Sequence, residues 1–251
     1  MKSHIYIAGT GNLATALGVE LQEKSPADYQ FAGWLSRNPE KSVLKPVFDH
    51  SSVQFQQGDV VFLCVQDKYI FNLAAEFERR GVYVVHCSGA QPLEQKGIKC
   101  DAAFWPVQTF RAGIQSSWAG VPILIQSENA TLTQFLFETG ELLSARVVSS
   151  TAEQRLKMHL AAVFANNFVN ALIRSAEITA ESIGYSAEFI HPILKQTVIN
   201  AIENGAINTQ TGPAFRGDEV TIQKHFQLLE NEPEMKRMYE EMTTYISFLF
   251  K

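Results

Sequence analysis

The sequence has little cysteine, no long apolar run and no concentration of positive charge. Its three cysteines, Cys64, Cys87 and Cys100, lack the spacing of a metal site. We interpret them as reduced, mostly buried thiols and expect no bound metal. No apolar run approaches the ~18 residues that a membrane-spanning helix needs, so we expect no membrane association.

A basic surface and a targeting segment are missing as well. The formal net charge is −5 and no run of lysine or arginine exceeds two residues, which argues against nucleic-acid binding. The first apolar run, His4–Ala8, has the length of a strand and not of a signal peptide. We therefore expect a cytoplasmic protein. Hydrophobic residues make up 46% of the chain, which is enough for a packed core.

The 251 residues suit one domain of about 150 residues and a smaller companion. Up to residue 150, short β-rich segments alternate with helical ones, which predicts βαβ units and a mainly parallel sheet. The predicted strands are Ile5–Ala8, Phe31–Leu35, Val60–Val65, Val82–His86, Ala102–Trp105, Val121–Gln126 and Arg146–Ser149. The predicted helices between them include Leu13–Glu23, Tyr69–Arg80 and Thr131–Leu143.

Beyond Thr151 the sequence becomes helical, and only four of the 15 glycines lie there. Thr151, with Glu153 and Gln154 after it, is typical of a helix start. The predicted helices of this segment are Ala152–Ile183 as one long helix, Ala187–Asn204, Glu219–Glu230 and Glu234–Phe250. Residues 151–251 are therefore predicted to form an all-α domain.

The first predicted strand leads into Gly9-Thr10-Gly11-Asn12-Leu13-Ala14 and then a helix. This is the G-x-G-x-x-A form of the dinucleotide fingerprint, in which Gly9 permits the tight turn and Gly11 lets the backbone approach a pyrophosphate. The N–H groups at the helix start, at Asn12 and Leu13, attract the phosphates. The alternative is a purely structural turn. The strand–turn–helix context favours a Rossmann domain over residues 1–150, with a doubly wound, mainly parallel sheet.

The end of the second predicted strand favours NADP over NAD. NAD-binding proteins usually place an acid there to bond the ribose 2′-hydroxyl. Here the strand ends in Ser36 and Arg37, and no acid occurs before Glu40. Ser36 can donate to a 2′-phosphate and Arg37 can pair with its charge. The alternative is that Arg37 is a solvated turn residue; a deazaflavin coenzyme is a further possibility.

Two other strand ends are candidates for the nicotinamide side. Val65 ends one predicted strand and Gln66 and Asp67 follow it, and Ser88 follows the next strand. Ligands of open α/β sheets bind at the carboxyl ends of the strands, where these residues lie. Asp67 could instead only cap a helix. Ser88 is equally compatible with a structural role, and His86 is more typical of a structural histidine.

Several motifs together resemble a known group of proteins. They are the glycine turn, the Ser36-Arg37 pair, His86–Ala90, Pro106–Phe110, His159–Phe168 and Thr211–Asp218. The chain resembles uncharacterised bacterial proteins with a Rossmann domain and a helical domain of unknown function, which are labelled NADP oxidoreductases. These are distantly similar to ketopantoate reductase, pyrroline-5-carboxylate reductase and the β-hydroxyacid dehydrogenases.

The resemblance implies that the helical domain also forms the interface of a homodimer. The chain departs from its relatives at two positions. Trp105 stands where relatives often carry histidine, and Val163 stands where the β-hydroxyacid dehydrogenases have a helix lysine ahead of an asparagine. Hydroxyacid oxidation through that lysine is therefore not expected.

His159, Asn166 and Asn167 are the first candidates for catalysis. His159 and Asn166 are two helical turns apart and would share one face of an α-helix. A histidine can donate a proton to a carbonyl or imine, and an asparagine amide can orient it. Asn167 is the better match to the Asn-Phe pair of the family. The alternative is that all three satisfy backbone groups inside the helical domain.

Arg216 is the last candidate. It lies in Thr211–Asp218, which contains two glycines and a proline and is predicted to form a loop. Arg216 could bind a substrate carboxylate with two hydrogen bonds. Alternatively, it pairs with Asp218 at the start of the Glu219 helix.

Together these features predict an NADP-dependent oxidoreductase that reduces a small carbonyl or imine compound in a cleft between the two domains. Two other functions stay open at this point. One is a dinucleotide-binding regulatory protein without turnover, and the other is a deazaflavin-dependent oxidoreductase.

Overall fold

The computed structural model describes residues 2–111, 117–143 and 146–250. It divides into two compact units, Met1–Val163 and Phe164–Lys251. No helix within the described ranges is both long and apolar enough to cross a membrane.

The first unit contains ten strands and four α-helices in its described part. The strands are β1 (Ser3–Ala8), β2 (Tyr29–Ser36), β3 (Val47–Asp49), β4 (Val60–Leu63), β5 (Tyr83–His86), β6 (Glu94–Gln95), β7 (Ile98–Lys99), β8 (Ala102–Pro106), β9 (Pro122–Ser127) and β10 (Arg146–Ser149). The helices are α1 (Asn12–Glu23), α2 (Asp67–Glu78), α3 (Ala130–Leu143) and α4 (Ala152–Ala162).

Eight strands form one sheet in the order β10-β9-β8-β5-β4-β1-β2-β3, and β6 and β7 form a separate hairpin. Neighbouring strands of the large sheet are parallel except β8 and β9. The predicted α/β class and mainly parallel sheet are confirmed. The sequence did not indicate β3, β6 and β7, which are only two or three residues long.

The alternation of side chains along β1 explains the two-sided core. Ile5 and Ile7 belong to one apolar cluster and Tyr6 to the other, because successive strand residues point to opposite faces. The first cluster also includes Leu17 of α1, and the second includes Phe71 of α2. Helices therefore cover both faces of the sheet, as in a doubly wound fold.

The start of α1 is fixed to the second strand by one tryptophan. Trp34 is buried, and its indole N–H donates to the carbonyl of Ala14 at 2.8 Å. Gly18 lies against the same indole, where any larger residue would collide with the ring. This packing holds the glycine turn in place at the carboxyl edge of the sheet.

The helix α4 begins as predicted and belongs to the first unit. The Thr151 hydroxyl accepts from the Gln154 N–H at 3.1 Å, and the Gln154 side chain accepts from the Thr151 N–H at 2.8 Å. This reciprocal capping box satisfies two N–H groups that an uncapped helix leaves without partners.

The second unit is helical. Its elements are α5 (Val169–Ser182), α6 (His191–Asn204), α7 (Ala206–Thr209), α8 (Pro213–Arg216), α9 (Glu219–Leu228) and α10 (Pro233–Leu249), with a 3₁₀ turn at Ala187–Ile190. A π-helical segment, Val163–Phe168, lies between α4 and α5. The prediction of one uninterrupted α-helix over Ala152–Ile183 is therefore wrong, because a wider turn interrupts it.

Side chains of the second unit are mostly exposed or only partly buried. Ala214 is its one buried residue within the described part of the chain. Large apolar side chains are instead exposed along α5 and its approach, with Phe164 52% and Phe168 50% exposed.

Candidate active site

The glycine turn connects β1 with α1, and Gly9 cannot be replaced there without strain. Its φ is +120°, a region that residues with a side chain rarely adopt. A Cβ at Gly9 would also lie 2.4 Å from the carbonyl oxygen of Cys64. The turn therefore packs directly on the end of β4.

Gly11 has the opposite surroundings. It is the N-cap residue of α1 with an ordinary φ of −79°, and a Cβ there would meet no atom within 4 Å. Nothing in the described protein thus requires glycine at this position, whereas a ligand close to the backbone would. The first N–H groups of α1 have no partner within the helix and can bind an anion.

Asn12 connects the glycine turn to the segment after β8. Its side-chain amide donates to the carbonyl of Phe110 at 3.0 Å. The Phe110 ring packs on Trp118, with 4.8 Å between the ring centroids. The side chain of Asn12 is thus engaged within the protein, and its backbone N–H is one of the first N–H groups of α1, which lack a partner inside the helix. Leu13 packs against the apolar core.

A cavity of about 450 Å³ lies beside the glycine turn. Its lining includes Gly9, Thr10, Ser36, Arg37 and Asn38. The strand ends of β1 and β2 and one side of α2 meet in this cavity. This is the place where the fingerprint and the Ser36-Arg37 pair predicted a dinucleotide to bind.

Arg37 and Tyr69 form a cationic and aromatic surface at this cavity, and Lys68 also contacts the Tyr69 ring. The Arg37 guanidinium lies 5.9 Å and the Lys68 ammonium 4.9 Å from the ring centroid of Tyr69. Arg37 is exposed, and the Ser36 hydroxyl accepts from the Asn38 N–H at 3.1 Å. Lys68 was not identified from the sequence, because its helix position alone does not show that it contacts the Tyr69 ring.

One carboxylate also lines this cavity. Glu76 lies 2.9 Å from Nδ1 of His50, and both residues are partly buried. The Arg80 guanidinium donates to the carbonyl oxygens of His50 and Val53, which holds this segment against α2. The Glu76 carboxylate is therefore paired with the His50 imidazole, which lines the same cavity.

The second group of predicted cofactor residues lies at the end of β4. Val65 lines the cavity, and Gln66 is the N-cap residue of α2. Asp67 is the first residue of α2, so the prediction that it caps this helix is wrong by one position. Its carboxylate accepts instead from the Gln91 amide at 3.3 Å.

The end of β5 forms a compact polar turn. The Ser88 hydroxyl accepts from the N–H groups of Ala90 and Gln91 at 3.1 and 3.2 Å. The Ser88 N–H donates to Nδ1 of His86 at 3.2 Å, so a neutral His86 carries its proton on Nε2. His86 is fully buried. Burial, together with the charge of Arg155, lowers the pKa of His86 to about 3.

Arg155 of α4 is a buried cation that the sequence did not reveal. Its guanidinium donates to the Gln126 side-chain oxygen at 2.7 Å and to the Gln91 carbonyl at 2.6 Å. Its exposed fraction is 0%, and burial lowers its pKa to about 10. It therefore joins α4 to the segment after β5 and to β9.

His159 lies one helical turn after Arg155 and contacts the same part of the sheet. The His159 and Trp105 rings are 5.7 Å apart between centroids and inclined by 49°. A Cβ at Gly89 would lie 2.8 Å from Cδ2 of His159, so only glycine leaves room for the imidazole. The structure thus brings His159 together with the ends of β5 and β8.

The other predicted catalytic residues belong to the second unit. Asn166 and Asn167 are exposed and lie in the π-helical segment. The two-turn spacing predicted for His159 and Asn166 is wrong, because it assumed regular α-helix between them. Arg216 is exposed and ends the short helix α8, where a loop was predicted. Asp218 caps α9 by accepting from the Thr221 N–H at 3.1 Å.

Solved structures share this fold. A Bacteroides fragilis protein provisionally named an NADP oxidoreductase is 26% identical with a TM-score of 0.82, and the alignment covers 98% of each chain. Protein TM1727 of Thermotoga maritima is 22% identical with a TM-score of 0.71, covering 96% of each. The imine reductase of Myxococcus stipitatus, solved with NADP⁺, is 18% identical with a TM-score of 0.63, covering 97% of this chain and 92% of that one.

No curated protein matches the chain. Residues 121–246, about half of the sequence, match the family described as Domain of unknown function (DUF2520). This match agrees with the predicted resemblance to a Rossmann-like group with a helical domain of unknown function. The chain belongs to the DUF2520 family.

Proposed function

We propose that the protein is an NADP-dependent reductase of a small carbonyl or imine compound. The observation that carries the proposal is the exposed Arg37 guanidinium at the end of β2, on the cavity beside the glycine turn. A cation there favours a 2′-phosphate, whereas an NAD-binding protein would have an acid. The similarity to an NADP oxidoreductase and to an NADP-bound imine reductase supports the same cofactor.

The residues of the cavity suit such a cofactor in separate ways. Ser36 and Arg37 would hold the 2′-phosphate, with Lys68 as a second cation on the Tyr69 ring. The open space at Gly11 and the N–H groups of Asn12 and Leu13 would hold the pyrophosphate. The rest of the cofactor would lie along Val65, Gln66, Asp67 and Ser88. The cofactor would supply a hydride to the substrate.

His159 is the proposed proton donor. It stands beside Gly89 and Trp105, at the strand ends where the Rossmann fold directs the reactive part of a dinucleotide. Arg155 holds this turn of α4 through the Gln91 carbonyl and would keep the imidazole in position. Asn166 or Asn167 would orient the substrate oxygen or nitrogen, and Arg216 would bind a substrate carboxylate.

A dinucleotide-binding protein without turnover is the second candidate. Val163 stands in place of the lysine that the β-hydroxyacid dehydrogenases use, which favours this alternative. The half-buried imidazole of His159 against the strand ends favours an enzyme. Turnover of NADPH with a cyclic imine or a simple ketone as probe separates the two.

We further propose a homodimer formed mainly by the C-terminal helices. The apolar side chains of Phe164, Phe168, Leu172 and Ile178 are exposed, although a helix rich in such residues gains stability by burying them. A second copy of the chain would cover them.

The cofactor proposal is tested by calorimetric titration with NADPH and NADH. We expect tighter binding of NADPH, and Arg37→Ala should weaken it by roughly tenfold or more, because a charge-assisted hydrogen bond contributes about 1.5–3 kcal/mol. The same variant should leave NADH binding nearly unchanged. Arg79→Ala, which removes an exposed arginine at the far end of α2, is the matched control. Equal affinities of the unaltered protein for the two cofactors would contradict the proposal.

A further inference from the structure

Two of the three cysteines stand side by side at the carboxyl edge of the sheet. Cys64 follows β4 and Cys87 follows β5, and the residues before them, Leu63 and His86, are paired in the parallel ladder. The Cys87 N–H donates to the Leu63 carbonyl at 3.3 Å, which extends the ladder to this level. The two Sγ atoms are 3.6 Å apart.

This placement suits a bond between the two sulfurs. Neighbouring strands are about 4.8 Å apart, and disulfides join Cα atoms that are about 4.4–6.8 Å apart. Because a disulfide bond measures about 2.05 Å, the Sγ atoms at 3.6 Å need to approach by about 1.5 Å, through rotation of the side chains and a small shift of the backbone.

The third cysteine belongs to a different apolar cluster from Cys87. Cys100 is fully buried and contributes to the apolar cluster under α2. Burial raises the pKa of its thiol to about 12, and the hydrogen bond with Cys64 together with burial raises the pKa of Cys87, so neither of these two thiols readily forms the reactive thiolate. Cys64 is partly exposed, whereas Cys87 is buried. An oxidant from solvent therefore reaches Cys64 first.

We propose that Cys64 and Cys87 form a reversible disulfide when the protein meets a hydroperoxide. The Cys64 thiolate attacks the peroxide, the O–O bond breaks, and a sulfenic acid and an alcohol or water result. The Cys87 sulfur then attacks the sulfenic sulfur and the S–O bond breaks. The leaving oxygen takes the Cys87 proton and departs as water. Two thiols are oxidised by two electrons, and the peroxide is reduced.

The bond would act on the dinucleotide site through Gly9. A Cβ added at Gly9 would lie only 2.4 Å from the Cys64 carbonyl oxygen, so the backbone at Cys64 is in close contact with the glycine turn. Drawing Cys64 towards β5 would shift this backbone and lower dinucleotide affinity. This consequence rests on the proposed function, whereas the formation of the disulfide does not.

Hydrogen peroxide treatment followed by thiol counting in denaturant and intact-mass measurement tests the pair. We expect two of the three thiols to disappear, the mass to fall by two hydrogen atoms, and dithiothreitol to reverse both changes. Cys100→Ser should behave like the unaltered protein, with both remaining thiols lost. Cys64→Ser and Cys87→Ser should form no internal disulfide. A mass gain of oxygen atoms on Cys64, or three free thiols after treatment, would overturn the proposal.

Titration of the reduced and oxidised forms with NADPH tests the consequence separately. We expect about tenfold weaker binding by the disulfide form, equivalent to about 1.4 kcal/mol. Equal NADPH affinity of the two forms would overturn the proposed effect of the disulfide on the dinucleotide site, but not the formation of the disulfide itself. A reduced protein that binds neither NADPH nor NADH would instead overturn the proposed function.

Discussion

The imidazole of His159 packs against the indole of Trp105, with 5.7 Å between ring centroids. α4 thus brings an imidazole to the end of β8. This placement is the observation behind the proposal that His159 donates the proton.

Replacing His159 by glutamine should abolish most reductase activity. Glutamine keeps hydrogen-bonding capacity but cannot donate a proton near neutral pH, and general acid catalysis is typically worth ~100-fold or more. NADPH oxidation with a cyclic imine and with a simple ketone measures turnover, and calorimetry should show unchanged NADPH affinity. His191→Gln, at an exposed histidine of α6, is the control. Full turnover by His159→Gln would exclude the assigned role.

Alanine at Gly11 should mainly weaken NADPH binding, whereas alanine at Gly9 should mainly destabilise the fold. Gly11→Ala should lower thermal stability only slightly, through the poorer N-cap preference of alanine, because its φ is ordinary and its Cβ meets nothing within 4 Å. NADPH affinity should fall about tenfold or more, since the new methyl occupies space beside the helix N-terminus. Gly9→Ala should destabilise the fold by about 1–3 kcal/mol through its positive φ and the Cys64 carbonyl. Thermal melts and calorimetry on both variants compare these effects, and undiminished NADPH binding by Gly11→Ala would contradict the phosphate site.

The sequence predicted the sheet well because its signals are local. Each predicted strand overlaps an observed one, since a short apolar run between turn residues defines a buried strand. Strand direction is a different matter. β9 runs antiparallel to β8, and periodicity carries no information on direction.

The candidate site was predictable only where adjacent residues form it. The glycine turn and the Ser36-Arg37 pair are continuous motifs. Arg155 gives no sequence signal, because its burial depends on Gln91 and Gln126, which are distant in the chain. The π-helical segment has no marker in its sequence either. The Cys64–Cys87 pair could have been found, because Cys64 lies near the carboxyl end of one predicted strand and Cys87 directly follows the next.

The dimer proposal predicts a mass of about twice 28.0 kDa in light scattering at micromolar concentration. Leu172→Glu should shift the protein towards the monomer, because a charge would replace an exposed apolar side chain of α5. Val43→Glu is the control, since Val43 is 94% exposed in the first unit. A mass near 28.0 kDa for the unaltered protein would reject the dimer.

His86 should make the stability of the protein depend on pH between about 3 and 6.5. Its pKa is lowered from 6.5 to about 3 in the folded protein, first by burial and then by the Arg155 charge. The unfolded chain therefore binds a proton in this range that the folded chain does not, so the free energy of unfolding falls as the pH falls below 6.5. At pH 5 the loss is about 2 kcal/mol, from 1.5 pH units at about 1.36 kcal/mol each.

Urea unfolding at pH 7 and pH 5 measures this change in the free energy of unfolding. His86→Asn keeps an acceptor for the Ser88 N–H but does not titrate, so its stability should change less between the two pH values than that of the unaltered protein. The variant should also be less stable at pH 7, because it leaves space in a packed interior. His191→Asn removes an exposed histidine and should keep the full pH dependence. The same pH dependence in His86→Asn as in the unaltered protein would show that His86 is not the group that titrates.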